Sequence, residues 1–530
     1  MADDLIIRTE DIKPEEVIHY YVDSAVDRAI IEELKKRTPV LLIGSRGVGK
    51  SLLFRVAQYE LQEDNNVSVL PVYVSFMKSS LIQSRDPERF RNWMIARLAS
   101  EIVRELRRSG LMARVPSYNP LSETSRVRTG LEEALKAYED SWRKPEETID
   151  ASAVPTIEDF KNAIEDVCSD TGLDRIALFI DEAAHILMPA QQRDFFTLFR
   201  DLRSHYLTCH AAVYPGVTSF GSIFESRHDA KMLSLNRDVR SASYRDDMRS
   251  IVLKQADDAL AKSIAVNGQN FDTLAFATTG NPRQLLRTVD RSRKLTSTDV
   301  TTTIREFFRD EIWSEHTALA EKYPGHRALV DWGRTFIEEY VLRDIKQKND
   351  EALEKSKDTS CYFWIHRDAP QPVKEALRIL AYTGIVQEAA QGMKASRGEI
   401  GTRYLLNIGC ILSRERSPIS VASKLVGDLA PKRMTEYGAN HEAFKAIADA
   451  RPSDDVFDRA ALQQRLQESI DVLALSEFQK STLHSLELRT LGSVLDATPE
   501  KLKEAHYIGE KRARQMQNAA FAAIYEYLSG

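Results

Sequence analysis

Residues 44 to 51, Gly44-Ser45-Arg46-Gly47-Val48-Gly49-Lys50-Ser51, satisfy the phosphate-binding pattern G-x-x-x-x-G-K-S/T at every constrained position. The flanks restrict the fold further. The apolar run Val40-Leu41-Leu42-Ile43 precedes the loop as a buried strand, and Ser51-Leu52-Leu53-Phe54-Arg55-Val56-Ala57 continues it with helical spacing. A strand, a glycine-rich turn and a helix in that order aim backbone N–H groups and a helix N-terminus at one anion, and they call for a parallel sheet covered by helices. The residues that would wrap the phosphates are Gly44, Ser45, Arg46, Gly47, Val48, Gly49, Lys50, Ser51 and Leu52. Lys50 would neutralise the β- and γ-phosphates of a nucleotide, and the Ser51 hydroxyl would ligate Mg²⁺.

Such a loop serves ATPases, GTPases and kinases alike, so the rest of the site decides between them. Ile176-Ala177-Leu178-Phe179-Ile180 is an unbroken apolar run that ends in Asp181 and Glu182. That is the pattern of a strand buried on both faces, whose C-terminal edge meets the ligand. Asp181 would hold Mg²⁺ through water, and Glu182 would polarise the attacking water. The acidic pair favours ATP hydrolysis over GTP switching or phosphate transfer to a small molecule.

At 530 residues and 60.1 kDa the chain exceeds a single core and should divide into roughly three or four units. No apolar run approaches the ~20 residues needed to span a bilayer. Met1-Ala2-Asp3-Asp4 lacks the basic and apolar regions of a secretory leader, which makes the cytoplasm the expected compartment. Cys168, Cys209, Cys361 and Cys410 show no C-x-x-C spacing, so they are expected as small core residues rather than zinc or disulfide partners. A net charge of −6 argues against wholesale wrapping in nucleic acid but leaves room for a local basic face. Arg104, Arg107, Arg108 and Arg114 lie on or after a helical stretch marked by Phe90, Trp93, Met94, Leu98, Ile102 and Leu106, and they read as a solvated face.

In the second half, Pro372 starts a helical run from Val373 to Leu380, Gly384 ends it, and Ile385-Val386-Gln387-Glu388 opens a strand. Gly392 to Arg403 then forms a glycine-punctuated hairpin that returns through Tyr404-Leu405-Leu406-Asn407-Ile408. Helix, strand, basic turn and strand is the layout of a winged helix. Lys394, Arg397 and Arg403 fall on or near the wing, and such wings contact either the DNA backbone or other proteins. Arg397 and Arg403 are the candidate DNA contacts. The last segment, Leu491 to Leu502 followed by Ile508-Gly509-Glu510-Lys511-Arg512-Ala513, resembles tandem helix-hairpin-helix modules and is similar to the C-terminal domain of the bacterial RNA polymerase alpha subunit. In those modules a tight hairpin offers backbone N–H groups to a DNA phosphate with a basic side chain beside it. The resemblance gives that role to Gly509, Lys511 and Arg512, with Tyr507 standing where the first hairpin glycine is usual. Protein docking or a purely structural helical cap fits the same segment.

Two further stretches complete the order. Ala211 to Ser219 reads as a buried strand that ends in hydroxyls, and Thr279-Gly280-Asn281-Pro282-Arg283 places G-x-P-R at the start of a helix. Phosphate loop, acidic strand, hydroxyl-ended strand, G-x-P-R and winged helix, in that sequence, resemble the AAA+ ATPases of the origin-recognition and initiator type, here with an added C-terminal module. The resemblance covers about residues 15–75 and 160–420. It implies an α/β AAA+ P-loop core, a parallel sheet flanked by helices, followed by a helical lid, a winged-helix domain and an all-α helix-hairpin-helix domain. The corresponding boundaries are 1–240 for the core, with a helical insertion at about 80–160, then 241–310, 311–425, a linker at 426–470, and 471–530.

By the same resemblance Thr218 senses the γ-phosphate, with Ser219 in reserve, and Arg283 reaches from the lid to the nucleotide. Tyr20, Tyr21 and Val22 either cradle the base or simply pack. ATP sites would lie between subunits of a homo-oligomer, with Arg227 reaching the neighbour's γ-phosphate and Arg193, Arg200, Arg203, Arg237 and Arg240 competing for that role. The expectation is a cytoplasmic ATPase that takes ATP and Mg²⁺, with Lys50, Asp181, Glu182, Thr218, Arg227 and Arg283 as its catalytic set. Its nucleotide state would control assembly on DNA or recruitment of a protein partner, away from any membrane. The competing reading is a STAND-type signalling ATPase, for example in antiviral defence, whose C-terminal domains dock proteins. A processive helicase or translocase fits less well, because the chain carries no later helicase motif or nuclease constellation.

Overall fold

Short apolar runs that are continuous rather than alternating form strands covered on both faces, and the centre of the N-terminal unit is built from them. The computed structural model describes residues 5–64, 68–78, 87–122, 126–141, 149–183, 189–215, 218, 220–221, 223–448 and 459–528. β1 (Val40–Ile43), β2 (Val69–Ser75), β3 (Arg175–Asp181), β4 (Leu207–Val213) and β5 (Lys231–Ser234) form one parallel sheet in the order β2-β3-β4-β1-β5. Every residue of β3 and β4 is buried. Pairing of Ile43 with Val213, and of Ile180 with Ala211, brings the ends of β1, β3 and β4 to one edge of the sheet. That edge carries the phosphate loop.

One face of the sheet is covered by the helices Ala25–Leu34 and Lys50–Glu63, with Leu34, Phe54 and Leu61 packed over Leu42, Phe179 and Ala212. The other face is covered by the helices Pro87–Arg108, Ile157–Thr171 and Pro189–Asp201; in the first, Phe90, Trp93, Met94, Leu98 and Ile102 include three- and four-residue spacings and share a core with Val72 and Leu178. Residues of the stretch expected as an insertion thus pack on the sheet's core. Arg104, Arg107 and Arg108 point to solvent on the opposite side of the helix Pro87–Arg108. All four cysteines are buried and free.

The helices Tyr244–Leu253, Asp258–Val266, Gly268–Ala277, Pro282–Arg291 and Ser297–Arg305 fill the stretch expected as the lid. The helix Pro282–Arg291 starts where it does because Asn281 caps it, accepting from the Gln284 N–H, and proline fills the first turn. The lid shares an apolar core with the next unit, in which Phe276, Leu285, Phe308, Leu377 and Leu406 belong to one cluster. Apolar side chains on the two sides of the boundary expected near 310 thus pack together.

A second sheet follows, in the order β7-β8-β6-β9: β6 (Tyr362–His366), β7 (Val386–Lys394), β8 (Ile400–Leu406) and β9 (Met434–Tyr437). β7 and β8 make the expected hairpin, turning at Gly398 with φ +77°. β9 pairs in parallel with β6 although it lies in the stretch expected as linker, because Tyr437 is buried against Phe336. At the other end of that stretch, the helix Arg459–Leu466 packs with the C-terminal unit, and Ser469 bridges Thr490. Residues 449–458 lie outside the described residues.

The helices Glu477–Ser485, Leu491–Asp496, Pro499–Lys503 and Glu510–Leu528 enclose a separate core that includes Leu483, Val494, Leu502, Met516 and Ile524. This unit docks on the second sheet's unit: Gln371 N–H donates to Asn518 Oδ1 at 3.0 Å, and Arg514 donates to the Asp368 carbonyl at 3.0 Å. Among the described residues no helix is long and apolar enough to cross a membrane.

Candidate functional site

Two glycines shape the phosphate loop. Gly47 (φ +86°) and Gly49 (φ +107°) occupy left-handed backbone that side chains rarely adopt, and a Cβ on Gly47 would meet Arg283 Cβ at 2.7 Å. Lys50 begins the following helix and is buried, its Nζ donating to the carbonyls of Gly44 and Ser45 at 2.6 and 3.1 Å. The same Nζ lies over the Tyr214 ring, 4.1 Å from its centroid. Burial lowers the Lys50 pKa to about 7, with Arg283 and Arg46 acting the same way and Asp181 and Glu182 opposing.

At the end of β3 the buried Asp181 accepts from two donors. The Tyr73 hydroxyl donates to Oδ2 at 2.6 Å, and the Glu182 N–H donates to Oδ1 at 2.9 Å. The Arg55 guanidinium lies over the Tyr73 ring, 3.5 Å from its centroid. Glu182 departs from the strand at φ +57°, a strained value for a residue with a side chain. Its Oε2 is buried and has no hydrogen-bond partner among the described residues. Burial, then the neighbouring Asp181 charge, raises the Glu182 pKa to about 7.

The lid reaches this loop directly. Asn281 Nδ2 donates to the Arg46 carbonyl at 2.8 Å, and the Arg283 N–H donates to the Gly47 carbonyl at 3.2 Å. Arg283 Nε donates to the Ile7 carbonyl at 3.2 Å, while the Ile6 N–H donates to Gln255 Oε1 at 2.8 Å. The chain's first described residues thus form one wall. Together these groups line a cleft of about 350 Å³ that also includes Tyr20, Tyr21 and Val22.

The cleft brings together Lys50, Ser51, Asp181, Glu182 and Arg283. Thr218 sits differently: its hydroxyl donates to the Tyr214 carbonyl at 2.7 Å, and Tyr214 is the residue after β4 that lines the cleft. β4 stops at Val213, ahead of Pro215, which has no N–H to continue the ladder. Ser219 lies outside the described residues. Sequence reasoning missed Tyr214, although it follows its apolar run at a strand end, as Asp181 does. It also missed the in-chain task of Arg237, which donates to the Val48 carbonyl at 2.7 Å and pairs with Asp27.

The remaining expected residues lie elsewhere. Arg227 is exposed on the short helix Ser226–Asp229. Arg397 is exposed at the β7–β8 turn, but Arg403 is half-buried within β8, donating to the Pro431 carbonyl at 3.2 Å and lying over the Tyr362 ring. Lys511 and Arg512 are exposed in the first turn of the helix Glu510–Leu528, and Arg512 donates to the Tyr507 carbonyl at 2.6 Å. Tyr507 itself takes φ +64°, the conformation usually left to the hairpin glycine it replaces.

Residues 6–89, which hold the cleft wall, β1, the phosphate loop and β2, match the ORC-CDC6-like family model. Among solved structures, the chain is similar to Aeropyrum pernix ORC1 in complex with DNA, at 15% identity and a TM-score of 0.30, with 79% of this chain and 94% of that chain covered. It is also similar to Cdc6p from Pyrobaculum aerophilum, at 11% identity and a TM-score of 0.30, covering 78% and 98%. A variant of RuvB from Thermotoga maritima matches at 14% identity and a TM-score of 0.26, covering 75% and 92%. No curated protein matches the sequence.

Proposed function

We propose that this chain is an ATP-hydrolysing switch whose nucleotide state controls its association with DNA or the recruitment of a partner. The observation that carries this reading is the pair of hydrogen bonds from Asn281 and Arg283 of the lid to the carbonyls of Arg46 and Gly47 in the phosphate loop. A group that settles on the loop must act on the lid through them, and the lid shares its core with the second sheet's unit.

In this reading Lys50 exchanges its bonds to Gly44 and Ser45 for the β- and γ-phosphates. Ser51 and Asp181 would hold Mg²⁺. Their hydroxyl and carboxylate oxygens suit that hard cation, and each Asp181 oxygen accepts one hydrogen bond and keeps a further lone pair. Bound there, Mg²⁺ would neutralise charge on the phosphates. Glu182, whose Oε2 has no partner among the described residues, orients the attacking water and accepts its proton. Arg283 supplies positive charge from the lid, and Arg227 is the candidate to do so from a neighbouring subunit.

DNA affinity measured with ATP, with ADP and without nucleotide tests the reading. Wild-type protein should bind DNA differently in the three states, and Lys50→Ala should respond to none of them. Identical affinity in all three, or a protein ligand that drives assembly without DNA, would replace this reading with the signalling alternative.

A further inference from the structure

The helix Gln371–Tyr382 and the helix Glu510–Leu528 face each other across a second cleft of about 380 Å³. Its charged lining is Arg367, Lys374, Lys511 and Arg514 against the carboxylate of Asp368. Asp368 is 3.9 Å from Arg367 Nε, and its carbonyl accepts from Arg514 at 3.0 Å. Arg514 also donates to Asn440 Oδ1 at 2.6 Å and to Glu510 Oε1 at 3.1 Å. The two lysines differ from these arginines. Neither Lys374, which is half-buried, nor Lys511, which is exposed, has a hydrogen-bond or ion-pair partner among the described residues. Burial lowers the Lys374 pKa from its ordinary value, with Arg514 acting the same way and Asp368 and Glu375 opposing. Lys511 stands in the first turn of its helix, where the backbone dipole disfavours a cation. An anion between the two lysines would relieve both costs.

We propose that this cleft binds a backbone phosphate of nucleic acid, held by Lys374 from one unit and Lys511 from the other with Arg367 and Arg514 beside them. The proposal rests on the DNA association proposed above and adds a site that neither unit forms alone. A polymer fits better than a lone anion. Tyr507 and Gly509 are exposed at the hairpin just before this helix, and Lys511 and Arg512 follow one residue later, with Lys511 and Arg514 lining the cleft, so a strand lying along the hairpin and the helix start can meet successive basic groups. The bonds Gln371 to Asn518 and Arg514 to Asp368 fix the spacing of the two walls before any ligand arrives.

The test follows anisotropy of a labelled duplex with the full chain, ATP and Mg²⁺ across a salt series. Lys374→Gln should lower the slope of log affinity against log salt by about 0.9, the double variant Lys374→Gln/Lys511→Gln by about twice that, and Lys374→Arg should keep it. Matching thermal unfolding midpoints establish that the variants are folded. If wild type binds duplex and the double variant keeps its affinity and slope, the cleft proposal is overturned while the switch reading survives. Pyrophosphate binding that the double variant abolishes, with the duplex slope unchanged, overturns it by assigning the cleft to a small anion. A wild-type chain that binds no duplex in any nucleotide state overturns both.

Discussion

Arg237 grips Asp27 with one guanidinium nitrogen, at 3.0 and 2.8 Å from the two carboxylate oxygens, and with another donates to the Val48 carbonyl of the phosphate loop at 2.7 Å. Both side chains are nearly withdrawn from solvent, at 9% and 6% exposure. The pair ties the helix Ala25–Leu34 to the loop. This arginine is thereby engaged within its own chain, which removes it from competition for a role at a neighbour's site.

Asp27→Ala would leave the Arg237 guanidinium buried and unpaired, a change that costs about 3 kcal/mol or more. Denaturant unfolding should show that loss, and nucleotide affinity should fall with it because the Val48 carbonyl loses a fixed donor. Unchanged stability would mean that the pair does not set the loop's shape.

Glu182 must be ionised to accept a proton, and its folded pKa is about 7 because burial and the Asp181 charge both oppose ionisation. The active base therefore appears as pH rises. ATPase kcat/KM should climb through a limb centred near that value. Glu182→Gln should still bind ATP yet hydrolyse it at least about 100-fold more slowly. A flat profile together with wild-type turnover in the variant would remove Glu182 from the chemical step.

Much of this site was legible in the sequence because its constraints are local. Gly47 and Gly49 are required by backbone angles within one turn, and the carboxylates follow an apolar run whose burial on both faces could be read residue by residue. What escaped was decided by contacts between distant segments. Nothing near Arg237 in the chain announces Asp27, and Ile6 and Ile7 become a cleft wall only once Gln255 and Arg283 fold over them. β9 was hidden for the same reason, since Met434–Tyr437 is too short to read as a strand before β6 offers it an edge. Tyr507 shows the reverse case. A local rule asks for glycine there, and the packing of the surrounding helices, with Ile508 and Leu502 buried on either side, imposes the left-handed turn regardless.

Lys50 has a folded pKa of about 7, so above neutral pH much of it is uncharged before nucleotide arrives. Phosphates beside the amine favour its protonated form and raise that pKa. Binding of ATP at pH values above about 7 should therefore take up a proton. Titration calorimetry in buffers of different ionisation enthalpy measures this uptake directly. Lys50→Met should abolish both uptake and tight binding, and uptake that persists in the variant would assign the proton to another group.

Arg227 is exposed and does not line the cleft that Glu182 faces, so the proposed role for it at ATP is in a neighbouring subunit's cleft. Arg227→Ala and Glu182→Gln proteins should each be inactive alone. Mixing them should restore hydrolysis, because one kind of interface then pairs an intact arginine with an intact glutamate. Full activity of Arg227→Ala at every concentration would exclude it from this role.

The hairpin between β7 and β8 separates two arginines that look alike in sequence. Arg397 is exposed at the turn, whereas Arg403 is held by the Pro431 carbonyl at 3.2 Å and by the Tyr362 ring. Only the first is placed to meet a phosphate without breaking an existing contact. Arg397→Ala should reduce the salt slope of duplex binding by about 0.9 and leave the unfolding midpoint unchanged. Arg403→Ala should do the opposite, costing about 1 kcal/mol of stability through the lost hydrogen bond while keeping the slope. Equal effects of the two substitutions on the slope would mean that Arg403 leaves Pro431 when DNA binds, and no effect of Arg397→Ala would turn the hairpin's assignment toward a protein partner.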